Sequence, residues 1–68
     1  MIFTEDTMEQ LNALHDMQEL GGINMFGADE PLREMFMLGA QESRKVLAFF
    51  MNNYQEDRDY SQFLGQKM

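Results

Sequence analysis

The stretch Val46-Leu47-Ala48-Phe49-Phe50-Met51-Asn52-Asn53-Tyr54 decides the fold. Val46, Leu47, Phe50, Met51 and Tyr54 recur at i, i+1, i+4, i+5 and i+8, which lines one side of an α-helix. The strict alternation of a half-buried strand is absent here and along the rest of the chain. A stripe this wide predicts a helix packed against other apolar elements. Glu42 sits in its first turn, and Arg44 and Lys45 point away from the stripe. Phe49 also falls off the stripe, toward Lys45, Asn52 and Asn53, which puts a large ring on the polar side.

Working outward, Leu32, Met35 and Phe36 give a shorter i, i+3, i+4 pattern. Asp29 and Glu30 favour the positive end of a helix dipole, and Pro31 suits a first turn, so a second helix is predicted from about Pro31 to Leu38, ended by Gly39. Before it, Asn24-Met25-Phe26-Gly27-Ala28 holds two large apolar residues between glycines, which predicts a loop tucked inward. A first helix begins after Thr4 or Asp6, where Asp6 and Glu9 have capping-box spacing, and runs to Leu20. Leu11 and Leu14 centre its apolar sector, flanked by Met8 and Met17. Gly21-Gly22 closes it, with Ile23 folding back as the hydrophobic contact. After Asn53 the chain turns polar as far as Asp59, and Tyr60, Phe63 and Leu64 then have the spacing of a docking helical turn.

The reading is one all-α domain over residues 1–68, a small three-helix bundle with a short fourth C-terminal helix, its ends at 1–3 and about 65–68 frayed. The expected core is Leu11, Leu14, Ile23, Phe26, Leu32, Phe36, Val46, Leu47, Phe50 and Met51, with Met8, Met17 and Met35 packed on it.

Composition narrows the function. The 68 residues carry 12 acidic against 5 basic side chains, a net charge of -7. So small a domain has no room for both a core and a deep, walled active site. With no cysteine there is no thiolate zinc site or cysteine nucleophile, and the single histidine excludes a multi-imidazole metal centre. His15 and Glu19 stand at i, i+4, yet no third ligand joins them, so His15 is expected on the surface, partly exposed. Asp57 and Asp59 have the spacing that opens a calcium loop, without its glycine or closing glutamate. Hydroxyls have one histidine to activate them, and the glycines lack phosphate-loop register. A non-enzyme with no cofactor and no metal is expected. Glu5, Asp6 and Glu9 near the start are not those of a secretory leader, and Val46–Met51 is too short an apolar run to span a bilayer, so a cytoplasmic location without membrane contact is expected.

Two surfaces remain as candidates. Glu5, Glu9, Asp16 and Glu19 form a row of carboxylates along one side of the first helix, suited to docking on a basic protein or to imitating nucleic-acid phosphates. Phe49, together with Met37, is the candidate apolar contact for a protein partner of host or phage, or for self-association. The alternative is a helix-turn-helix regulator, in which the third helix offers Gln41, Arg44, Lys45, Ala48 and Asn52 to the DNA major groove; the net charge opposes it.

From Gly22 to Tyr54, the run Asn24-Met25-Phe26-Gly27-Ala28, then Pro31, Leu32, Phe36 and Leu38, then Glu42, Arg44, Val46, Leu47 and Met51, resembles short proteins of tailed bacteriophages. The similarity covers about half the chain, and the NMFGA run is its most specific part. The resemblance implies a phage origin and an infected bacterial cytoplasm, and it implies no chemistry.

Overall fold

The computed structural model describes residues 1–20, 27 and 29–68. The helices α1 (Glu5–Glu19), α2 (Asp29–Phe36) and α3 (Ala40–Asn52) each pack against the other two, and a 3-10 turn over Ser61–Phe63 follows. The fold is a small all-α bundle. Ile23, Phe26 and the glycine closure at 21–22 lie outside the described residues.

Helix α1 starts at a threonine pair. The Thr7 backbone N–H donates to Thr4 Oγ1 at 3.3 Å, and the Thr4 N–H donates to Thr7 Oγ1 at 3.2 Å. This capping box lies two residues before the Asp6–Glu9 spacing, because the Thr7 hydroxyl makes the return bond usually made by a longer Glu or Gln. Thr7, Gln10, Leu11, Leu14, His15 and Met17 are buried. At about 100° per residue they fill an arc of about 160°, centred as expected on Leu11 and Leu14.

Helix α2 is displaced toward the N-terminus. The Ser43 hydroxyl, itself buried, donates to the Asp29 carboxylate, which also lies 3.4 Å from Arg33 Nε one turn later. These contacts tie the first turn to residue 29 and to α3. At the other end Met37 adopts a left-handed backbone (φ 55°), and the Leu38 N–H reaches back to the Arg33 carbonyl at 3.1 Å. The helix therefore closes with a Schellman turn in which methionine occupies the usual glycine position, at about 1 kcal/mol of backbone strain. Gly39 does not end α2 as the sequence suggested; it is the N-cap of α3. Of the apolar residues expected inside, Leu32 is buried and Phe36 packs on the core, whereas Met35 is 59% exposed because this short helix turns only one edge inward.

The buried side of α3 is rotated from the expected stripe. Val46, Leu47 and Phe50 are in the core with Ser43, but Met51 and Tyr54 are about half exposed. The shift is toward Phe49, whose ring packs 5.1 Å from those of both Phe3 and Phe63. Phe49 is thus not a free contact but half-buried under the two chain ends.

Those ends are paired with each other. The Phe3 N–H donates to the Gln66 carbonyl, the Gly65 N–H to the Phe3 carbonyl and the Met68 N–H to the Met1 carbonyl, each at 2.8 to 2.9 Å, and Ile2 and Lys67 form an isolated antiparallel bridge. Gly65 (φ 84°) supplies the left-handed residue that brings the last residues alongside the first. Phe3 is the anchor, being fully buried. The C-terminal element is a 3-10 turn rather than a fourth α-helix. It brings Tyr60 fully into the core and leaves Leu64 partly exposed.

Candidate functional site

The four carboxylates on α1 are all exposed, on the side opposite its buried arc. Their surroundings differ. Arg58, held at a left-handed φ of 61°, donates from Nη1 to Asp16 at 2.8 Å and lies 2.8 Å from Glu19 through Nη2. Hydrogen bonding by Asp16 and then Glu19 raises the Arg58 pKa further above its ordinary value. Glu5 and Glu9 form no ion pair among the described residues. The row is therefore half clamped to the C-terminal segment and half open, a division invisible from the helix alone.

His15 is not a surface residue. It is 3% exposed, and its Nε2 lies 2.7 Å from Tyr60 Oη. The Gln55 backbone N–H donates to the same Oη at 3.0 Å, and the phenol can donate in turn to His15 Nε2 where that nitrogen is the unprotonated one of a neutral imidazole. Rings of Phe50, Tyr54 and Tyr60 surround the imidazole with centroids 4.9 to 5.7 Å away. Burial, and secondarily the Arg58 charge, lowers the His15 pKa, while Glu19 and Asp16 oppose this. Burial also raises the Tyr60 pKa, keeping the phenol protonated. The cluster is a support for the fold, since the Tyr60 hydroxyl is engaged by both His15 Nε2 and the Gln55 backbone.

Asp57 and Asp59 form turns. Asp57 Oδ1 accepts from the Asp59 N–H at 3.0 Å, and Asp59 Oδ1 accepts from the Ser61 N–H at 3.1 Å and the Ser61 hydroxyl at 2.7 Å. The Ser61 bonds lower the Asp59 pKa. Among the described residues no three His, Cys, Asp or Glu side chains converge to hold a metal ion. Among the described residues no helix is long and apolar enough to cross a membrane.

On α3, Gln41, Arg44, Lys45, Ala48 and Asn52 are all exposed, and they fall within an arc of about 100°. Lys45 and Asn52 also line a groove of about 480 Å³ floored by Phe49 and Phe63. Lys67 forms part of its other wall. Lys67, Phe63 and Arg58 are the residues that sequence reasoning missed. No local pattern marks Lys67, since only the pairing of the chain ends carries it to α3; Phe63 did carry a signal, its helical spacing from Tyr60. Met37, 92% exposed, remains an apolar contact open to solvent, in contrast to Phe49.

Compared with known proteins, the chain matches no family model, no curated protein and no solved structure.

Proposed function

We propose that this protein acts by non-catalytic binding of a protein partner, through the outer face of α1 on a basic surface. The supporting observation is the one-sided display of Glu5, Glu9, Asp16 and Glu19, all exposed, with Arg58 as the cation against them. From Glu5 to Glu19 the row spans about 21 Å at 1.5 Å per residue, long enough to meet several cationic side chains or to stand in for a short run of phosphates. A nucleic-acid-binding protein, whose basic surface already meets phosphates, is the first partner to seek. Affinity capture from bacterial lysate, with and without nuclease, tests this reading against the variant Glu5→Lys with Glu9→Lys. These positions are chosen because reversing Asp16 or Glu19 would also repel Arg58 and disturb the fold. A stoichiometric, nuclease-resistant partner that the variant no longer retains is the expected result. Retention unchanged by the charge reversal removes the acidic-face reading.

The second reading is a DNA-binding regulator using α3. It is favoured by the shared exposed face of Gln41, Arg44, Lys45 and Asn52, and by the absence, among the described residues, of an ion-pair partner for Arg44 and Lys45. Duplex DNA binding that weakens, with a flatter salt dependence, in Arg44→Ala with Lys45→Ala would replace the first reading with this one.

A further inference from the structure

The five cations of the chain divide into two groups. Arg33 and Arg58 are paired with carboxylates, whereas Arg44, Lys45 and Lys67 form no ion pair among the described residues. Lys45, from the middle of α3, and Lys67, from the last turn of the chain, both line the groove between α3 and the C-terminal segment. Among the described residues no Asp or Glu lines it, although the chain carries 12 acidic side chains. The charged side chains of the groove are thus positive only, on an otherwise acidic molecule, with the terminal residue Met68 also in its wall, and its 480 Å³ is the size of a small-ligand site.

The lining narrows the ligand. Phe49 and Phe63 meet edge to face, with centroids 5.1 Å apart and planes at 88°, so a flat ring can lie along one while meeting the edge of the other. Two of the three amides there already donate inward, Asn53 Nδ2 to the Phe49 carbonyl at 3.2 Å and Gln66 Nε2 to the Gln62 carbonyl at 3.0 Å. Each keeps an oxygen that can accept and a second N–H that can donate. The complementary molecule has an anionic group for the lysines, a planar body for the phenylalanines and polar groups on the ring edge.

We propose that this groove binds a nucleoside monophosphate, with the phosphate at Lys45 and Lys67 and the base against Phe49 and Phe63. The site is separate from the α1 face, so it stands or falls independently of the protein-binding reading.

The test is an amide NMR titration of the full chain with AMP and then CMP, alongside adenosine and inorganic phosphate. Shifts concentrated at Phe49, Asn52, Phe63 and Lys67 are expected with a nucleotide, and adenosine and phosphate should each bind about tenfold more weakly or worse. Lys45→Gln with Lys67→Gln, both at the surface and neutral to folding, should weaken nucleotide binding by about tenfold while the rest of the spectrum is unchanged. The proposal is overturned if neither nucleotide moves these amides at about 5 mM. It also fails if phosphate alone binds as well as AMP, or if the double variant binds as well as the parent. Shifts produced by a single-stranded oligonucleotide but by neither mononucleotide would overturn it as well, and would assign the lysines to the α3 nucleic-acid face.

Discussion

The C-terminal segment meets the helices in two aromatic clusters, one around Tyr60 and one around Phe63, and the two are built to different ends. At Tyr60 the ring is fully buried, its hydroxyl bridges His15 and the Gln55 backbone, and neighbouring rings close over the imidazole. At Phe63 the ring is only partly buried, touches Phe49 and Phe3, and borders an open groove whose lysines form no ion pair among the described residues. A buried polar group left unpaired is costly, so a cluster whose hydrogen bonds are closed internally holds the chain in one position. An open cluster with unpaired cations has surface available for something else.

The largest effect expected from this contrast is on stability. Truncation by Tyr60→Ala should destabilise the fold by about 3–5 kcal/mol, against about 1–3 kcal/mol for Phe63→Ala, read from urea unfolding. A domain of this length has only about 3–10 kcal/mol in all, so the first variant should be largely unfolded and the second folded. Equal losses would mean that the two clusters support the fold alike.

A smaller change isolates the hydrogen bonds. Tyr60→Phe keeps the ring but leaves the Gln55 N–H and His15 Nε2 without their partner, which should cost about 1–3 kcal/mol. A neutral outcome in the same assay would show that water replaces the phenol there.

Proton linkage sharpens the comparison further. The His15 pKa is lowered in the folded state by burial and by Arg58, so between the folded value and the ordinary 6.5 the unfolded chain binds more protons. The stability contributed by neutral His15 is complete above pH 6.5 and is lost as pH falls below it toward the folded pKa. Protonation also gives His15 Nε2 a hydrogen, which opposes a phenol proton directed at it. Unfolding midpoints taken from pH 7 downward should decline over this window and flatten in His15→Gln. A parent slope indistinguishable from the variant's would place the imidazole in a more hydrated setting than its burial indicates.

The smallest effect belongs to the open side. Lys45→Gln with Lys67→Gln should change stability by less than about 0.5 kcal/mol, because neither lysine forms an ion pair among the described residues. A larger loss would mean that the groove lysines support the pairing of the chain ends.

Much of this architecture follows from local pattern. The recurrence of Leu11 and Leu14, of Val46, Leu47 and Phe50, and of Leu32 with Phe36 determines three helices and which side of each faces inward, because a helix rotates by about 100° per residue whatever surrounds it. The exposure of Glu5, Glu9, Asp16 and Glu19 follows from the same geometry. His15 was partly legible, since its position on the wheel falls between Leu11 and Met8, within the buried sector. Its polar ring argued for the surface until Tyr60 supplied the partner that makes burial tolerable.

What only the tertiary structure decided are the contacts between residues distant in sequence and without a shared period. Phe3 and Phe63 cover Phe49, Arg58 clamps half of the acidic row, and the paired termini bring Lys67 to the groove that Lys45 lines. Periodicity reports the rotation of one helix about its own axis. It carries no information on where an irregular segment lies against that helix, which is set by side-chain packing and hydrogen bonds formed only once the chain has closed on itself.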